Sequence, residues 1–75
     1  MMNNEIFYRR LRELREDHDY TQSFVANKLG ISQRGYSHYE VGHYDLKATL
    51  LIGIAKLYNV STDYILGLDE KENEA

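Results

Sequence analysis

Apolar residues recur at helical spacing along the chain, and capping residues divide them into short segments. Phe7, Leu11 and Leu14 stand at positions i, i+4 and i+7, which is the pattern of an amphipathic helix. Asn4 is placed to cap the start of this first helix, and the polar segment 17–19 ends it. The sequence therefore opens with an amphipathic helix.

Two shorter helices are predicted between residues 21 and 40. Thr21 is a suitable N-cap for the first of them, and Gly30 suits the left-handed turn that often ends a helix. Ser32 can cap the next helix after a turn of about three residues. Two short helices joined by a glycine-containing turn form a helix-turn-helix motif, here at about 21–40.

Two more helices complete the predicted fold. Apolar residues keep helical spacing over 48–58, and Ser61 and Gly67 delimit a short last helix. We expect an all-α domain of five helices over residues 5–68 and no strand. The segment 69–75, which is acidic, is predicted to be a disordered tail.

Composition narrows the possible functions. The chain has 75 residues, enough for one small domain, and 43% hydrophobic residues fit a globular class. It has no cysteine, which excludes disulfides and cysteine-ligated zinc, and no apolar run of the roughly 20 residues that a membrane span needs. The sequence shows no secretory signal, catalytic motif or metal-binding histidine spacing. We expect a cytoplasmic protein, not an enzyme, without metal, cofactor or small-molecule ligand.

Most of the chain is less acidic than the net charge of −3 indicates. Four of the twelve acidic residues and one lysine lie in 69–75, so that residues 1–68 contain eight acidic and eight basic residues. An ordinary mixed surface explains this balance. Charge alone therefore gives only weak support to nucleic-acid binding.

The predicted third helix separates polar from aromatic side chains. At about 100° per residue, Tyr36 and Tyr39 lie on one side, and the other side carries Gln33, Arg34, Ser37 and His38. Glutamine can pair with adenine and arginine with guanine, and the helix start at Ser32 favours a nearby phosphate. A solvated surface is the alternative for an isolated helix. The preceding helix and turn favour a face that reads bases in a major groove.

Five segments of the sequence together resemble the Cro/repressor-type (XRE family) helix-turn-helix domains of phage and bacterial regulators. The resemblance covers residues 5–68, and it rests on L-R-E-L-R-E (11–16), T-Q (21–22), V-A-N-K-L-G-I-S (25–32), Y-x-x-Y-E-x-G (36–42) and V-S-T-D-Y-I-L-G (60–67). It implies a compact, five-helix, lambda-repressor-like fold with the helix-turn-helix at helices 2 and 3.

The resemblance also implies roles for single residues. Gln22 matches a glutamine that anchors the second helix to a DNA phosphate, and Tyr44 and Lys47 lie in a loop that commonly touches phosphate. Arg12, Lys28 and Ser32 are further phosphate candidates. The positions that read bases in this family correspond to Gln33, Arg34, Ser37 and His38.

An ion pair is expected inside the domain. Arg15 and Glu40 match two residues that form a salt bridge between the first and third helices of such domains. An inward carboxylate without a partner would be costly, which supports the pairing. The alternative is two solvated surface charges.

Some positions depart from the family pattern. Leu46 and Lys47 stand where a proline and a capping serine or threonine often precede the fourth helix, and Val41 stands where a basic residue is common. Phe24 replaces a residue that is usually polar. We expect Phe24 to pack locally against the first helix, and a contact with a partner is the alternative.

These observations predict a sequence-specific regulator of transcription that binds double-stranded DNA. We expect a repressor that acts by occupying its operator as a homodimer, because this motif binds paired half-sites. Candidates for the dimer interface, alongside a role in the core, are Tyr64, Ile65, Leu66 and Leu68. The alternative is a protein-interaction module of antitoxin or anti-repressor type, which the net negative charge, Phe24 and the acidic tail favour.

Overall fold

The described part of the computed structural model, residues 4–68 with side chains from residue 6 onward, consists of five helices and has no strand. These are α1 (Asn4–Asp17), α2 (Gln22–Leu29), α3 (Gln33–Glu40), α4 (Ala48–Tyr58) and α5 (Thr62–Leu66). The predicted all-α architecture is confirmed. None of these helices is long and apolar enough to span a bilayer. The predicted disordered tail, 69–75, lies outside the described residues.

Local hydrogen bonds set most of the helix boundaries. The side-chain oxygens of Thr21, Ser32 and Ser61 each accept a hydrogen bond of 3.0 Å from the backbone N–H three residues later. All three predicted N-caps are therefore confirmed. Gly30, with φ of 75°, ends α2 in the left-handed conformation that its sequence position predicts.

Two helix starts differ from this pattern. The prediction that Asn4 caps α1 is wrong, because Asn4 already lies within the helix and a cap has non-helical backbone angles. Lys47 occupies the N-cap position of α4, but its side chain makes no capping hydrogen bond. The first backbone N–H groups of α4 therefore have no side-chain acceptor at the cap.

The core lies among all five helices, with α1 packed against α3 and α5, and α4 packed against α2 and α5. The largest fully buried side chains come from all five helices, and they are Leu11, Val25, Tyr36, Ile54 and Ile65. Tyr39 is also buried, so that the aromatic side of α3 faces the core as its periodicity predicts. The opposite, polar side of α3 is left at the surface.

The core position of Ile65 corrects one of the predicted interface residues. Ile65 has no exposed surface, so it cannot take part in a dimer contact while the domain is folded. Leu68 remains 39% exposed, and Leu66 is half-buried. The guanidinium of Arg10 lies 4.2 Å from the centre of the Tyr64 ring and covers one of its faces.

Phe24 packs locally, and Tyr20 and Lys28 are its partners. Its ring centre lies 4.4 Å from that of Tyr20, in the connection between α1 and α2, and the Lys28 ammonium lies 5.4 Å from the ring centre. The side chain is still 39% exposed.

Candidate nucleic-acid interface

The polar side of α3 is presented to solvent at the surface of the domain. Gln33 and Arg34 are exposed at its first turn, and Ser37 and His38 are half-buried further along. The short α2 packs against α3, and the buried rings of Tyr36 and Tyr39 fix the rotation of α3. The arrangement leaves the first turn of α3 exposed. A helix presented in this way fits the major groove of DNA, which is wide enough to admit a helix.

A buried carboxylate joins α3 to α1. Glu40 accepts hydrogen bonds from Arg15, at 2.6 Å from Nε and 3.2 Å from Nη2, and from the hydroxyl of Tyr36 at 2.6 Å. The expected ion pair between Arg15 and Glu40 is present, and the Glu40 side chain is only 3% exposed. The hydroxyl of Tyr36, which the sequence placed only on the aromatic side of the third helix, completes this network.

Burial and the hydrogen bonds of this network shift the pKa values of Glu40 and Tyr36. Burial alone would raise the pKa of Glu40, but hydrogen bonds from Arg15 and Tyr36 and the charge of Arg15 outweigh it and hold the pKa below its usual value. Burial and the hydrogen bond to Glu40 raise the pKa of Tyr36. Glu40 is thus ionised and Tyr36 neutral at physiological pH.

Gln22, the predicted phosphate anchor, is held by the same carboxylate. Its amide nitrogen donates to Oε1 of Glu40 at 3.2 Å. An amide nitrogen carries two hydrogens, so the second can donate to a phosphate while the first stays on Glu40. This link between α2 and α3 was not foreseen, because sequence spacing does not reveal which side chain a glutamine will meet.

The far end of α3 is tied to the following loop. Nδ1 of His38 lies 3.0 Å from Nδ1 of His43, and its ring centre lies 5.0 Å from that of Tyr44. One imidazole must donate and the other accept, so the pair can keep this bond only if at least one ring is neutral. His38 is thus a predicted reading residue with one ring nitrogen, Nδ1, already engaged within the domain.

Tyr8 of α1 positions this loop from the other side. Its hydroxyl donates to the backbone oxygen of Tyr44 at 3.1 Å, and its ring lies against Gly42. Gly42 has φ of 83°, and a Cβ there would stand 3.1 Å from the Tyr8 ring. The sequence places Gly42 only at the end of the segment 36–42, so its contact with α1 was missed.

The phosphate candidates fall into two groups. Tyr44 and Lys47 are exposed beside the N-terminus of α4, and Ser32 lies at the N-terminus of α3. Arg12 is instead paired with Glu16 at 2.9 Å, and Lys28 lies at the opposite end of α2 from Gln22, roughly 9 Å along the helix axis. Arg12 is thus engaged in an ion pair within α1, whereas Lys28 lies next to the turn that leads into α3.

The described residues contain no group of three or more side chains that could hold a metal ion.

Comparison with known proteins places this geometry in a family. A helix-turn-helix family model matches residues 11–65. The HTH-type transcriptional regulator ImmR of Bacillus subtilis (strain 168) is 46% identical over 68 residues, which are 88% of this chain and 54% of ImmR. The antitoxin PezA of Streptococcus pneumoniae serotype 4 is 36% identical over 63 residues, 84% of this chain and 40% of PezA. This chain thus spans about half the length of the curated relatives that it matches.

A solved structure has the same fold. The P22 c2 repressor protein, crystallised in complex with synthetic operator 9T, superposes with a TM-score of 0.76 over 84% of this chain and 96% of that chain. Its sequence identity is 24%, so this likeness concerns the fold alone. Because the family model covers most of the chain and the five helices follow the repressor fold, this protein belongs to the XRE family of helix-turn-helix proteins.

Proposed function

We propose that this protein is a sequence-specific transcriptional regulator, a repressor that acts by occupying double-stranded operator DNA. The observation that carries the proposal is the exposed first turn of α3, where Gln33 and Arg34 project from a helix fixed by two buried tyrosines and the Glu40 network. The naming of ImmR as a transcriptional regulator and the operator complex of the P22 c2 repressor support it.

In the proposed complex α3 lies in the major groove. Gln33 and Arg34 contact base edges, and Ser37 and His38 lie further along the same face. Gln22 donates its second amide hydrogen to a phosphate, which fixes the docking of α2 without choosing a base.

Phosphates on the far side of α3 would be contacted by Tyr44, Lys47 and the backbone N–H groups at the start of α4. Those N–H groups lack a side-chain cap, and a phosphate could accept from them.

Two such domains would bind one operator. Paired half-sites one helical turn apart are the usual target of this motif, so a homodimer is part of the proposal. Leu66 and Leu68 remain candidates for the contact between copies, with the exposed edge of Tyr64 beside them. A regulator of this kind would act in the cytoplasm, and we propose no catalytic activity for it.

Selection of bound duplexes from random DNA, followed by titration of single variants, tests the proposal. Gln33→Ala and Arg34→Ala should each lose about 1–3 kcal/mol on the selected site and much less on a scrambled duplex. Gln22→Ala should weaken both duplexes alike, because a phosphate contact carries no sequence information. Arg9→Ala, which removes an exposed charge from α1, is the matched control and should change neither result.

Two results would count against this function. If no duplex is enriched, or if Gln33→Ala and Arg34→Ala bind both duplexes as the parent protein does, α3 does not read DNA. A lower salt dependence for Arg34→Ala with unchanged base preference would move Arg34 alone to a phosphate.

An interaction module of antitoxin type is the second candidate, because the antitoxin PezA is among the relatives. DNA binding through several phosphates weakens steeply with salt, whereas binding to a protein through a largely apolar surface does not. The salt dependence of the main ligand separates the two functions.

A further inference from the structure

An open groove lies between the α2–α3 turn and α4, apart from the first turn of α3. Its volume is about 570 Å³. It is lined by Lys28, Leu29, Ile31, Tyr39, Lys47, Thr49, Leu50, Gly53, Lys56 and Leu57. Gln33 and Arg34 are not among these residues, so an occupant of the groove would not cover the proposed reading face.

The floor of the groove is apolar and is kept open by a glycine. Leu29, Ile31 and Leu57 are half-buried along it. Gly53 stands in the middle of α4, and a Cβ there would lie 3.3 Å from Cδ2 of Leu29, so any side chain at this position enters the groove. Glycine inside a helix costs about 1 kcal/mol relative to alanine. The sequence thus leaves the groove unfilled at some cost in stability.

The rim of the groove is positively charged. Lys28, Lys47 and Lys56 surround the floor, and none of the lining residues is acidic. Among residues 6–68, neither Lys47 nor Lys56 is in an ion pair. An apolar floor with an unneutralised basic rim is complementary to a ligand that is apolar on one side and acidic on its edges.

We propose that this groove binds an amphipathic helix of a partner protein, with an apolar stripe flanked by glutamate or aspartate. Such a helix would place aliphatic side chains beside Gly53 and its carboxylates near the three lysines. The proposal does not depend on DNA binding.

Other occupants match the groove less well. Two copies meeting groove to groove would bring six lysines together, which is repulsive. The segment 69–75 is acidic, but it has no apolar residue larger than Ala75 to cover the floor. DNA has the right charge and no aliphatic surface.

The test uses the full ¹⁵N-labelled chain and a synthetic helical peptide of about 16 residues, long enough to form an isolated helix. The peptide carries leucines on one stripe and glutamates on both flanks, and two matched peptides replace the glutamates with lysines or the leucines with serines. Saturable amide shifts at Leu29, Gly53 and Leu57 are expected with the first peptide. Both matched peptides should bind roughly tenfold more weakly or worse.

Two variants examine the floor and the rim separately. Gly53→Leu fills the groove and should weaken binding of the leucine–glutamate peptide by roughly tenfold or more. Its Cβ stands 3.3 Å from Cδ2 of Leu29, so Leu29 must shift to admit it, and Tm is measured alongside. Lys56→Glu reverses one rim charge and should also weaken it, whereas Arg9→Glu makes the same charge change on α1 and should not. Lys56 is exposed, so this variant keeps the test valid if Gly53→Leu folds poorly.

Four results would overturn the proposal. Equal binding of the glutamate and lysine peptides would mean unspecific apolar contact. Shifts confined to other amides would place the peptide elsewhere. Concentration-dependent shifts of Gly53 and Leu57 in the protein alone would make a second copy the occupant. Shifts of these two amides on addition of the selected duplex would assign the groove to DNA.

Discussion

The carboxylate of Glu40 receives hydrogen bonds from three helices, through Arg15 of α1, Gln22 of α2 and Tyr36 of α3. A side chain that is 3% exposed and charged is stable only with such partners. One residue thus holds the two helices of the helix-turn-helix against α1. It also holds Gln22, the predicted phosphate anchor.

Removal of either partner of the ion pair should destabilise the domain. Arg15→Ala and Glu40→Ala should each cost roughly 3 kcal/mol, because each strands a buried charge, and the double variant should cost less than their sum. Denaturant melts of the parent and the three variants measure this coupling. Additive effects near zero would mean that the pair contributes nothing.

Acid should weaken the same network. The pKa of Glu40 is held below its usual value of 4.5, so the stabilisation is complete above that pH and is lost as the pH falls through the lower, folded value. The stability difference between the parent and Glu40→Gln should therefore shrink from about pH 6 to about pH 3. Urea midpoints across this range test it, since the other carboxylates are common to both proteins. A stability difference that stays constant with pH would contradict the lowered pKa of Glu40.

The hydroxyl of Tyr58 contrasts with that of Tyr36, which is hydrogen-bonded to Glu40. Its oxygen is buried and has no hydrogen-bond partner within residues 6–68, and burial raises the pKa of Tyr58 to about 12. Tyr58→Phe should leave stability unchanged or raise it by up to about 1 kcal/mol, because it removes an unsatisfied buried group. Tyr36→Phe, the matched control, should cost about 1.5–3 kcal/mol because it removes a hydrogen bond to a charged group. Thermal melts at neutral pH compare them, and equal losses would contradict the difference in partners.

At the scale of elements, the sequence predicts those features that depend on residues close together along the chain. The caps at Thr21, Ser32 and Ser61 involve hydrogen bonds over three residues, and the polar and aromatic sides of α3 follow from its period. In α5, a helix of five residues, the period is too short to choose the inward residue, and Ile65 was therefore predicted as an interface candidate alongside a core role. Most of the fold was predictable for this reason.

The candidate site was less predictable than the fold, because its contacts join distant parts of the chain. The bond from Gln22 to Glu40 and the contact of Tyr8 with Gly42 depend on the angles between helices and on rotamers. The groove depends on the absence of a side chain at Gly53, which the sequence shows only as a weak helix position.

Substitutions at two glycines in left-handed conformations can distinguish the cost of backbone strain from the cost of a steric clash. Gly30 has nothing within 4 Å of an added Cβ, whereas at Gly42 the Cβ would meet the ring of Tyr8 at 3.1 Å. Gly30→Ala should cost about 1–2 kcal/mol from backbone strain alone. Gly42→Ala should cost more, and Tyr8→Ala should recover the excess. Thermal melts of these variants and the double variant test it; equal costs at both glycines would show that the Tyr8 contact is unimportant.

At the scale of the molecule, charge is divided between a neutral domain and an acidic end. Residues 1–68 have no net charge, and 69–75 carry the whole net charge of −3. The acidic segment therefore adds a repulsive term to any approach of the protein to a polyanion, whatever its conformation. This repulsion acts equally on every DNA sequence and falls with added salt.

Deletion of residues 69–75 should accordingly strengthen binding to a scrambled duplex at low salt and leave Tm nearly unchanged. A variant of full length, in which the four acidic residues of this segment become their amides, separates charge from chain length and should reproduce most of the gain. Titrations at low and high salt, with thermal melts of both variants, decide the matter, because a charge effect disappears at high salt. If truncation lowers Tm or dissociates a dimer while the amide variant does neither, the segment holds the structure together rather than repelling DNA.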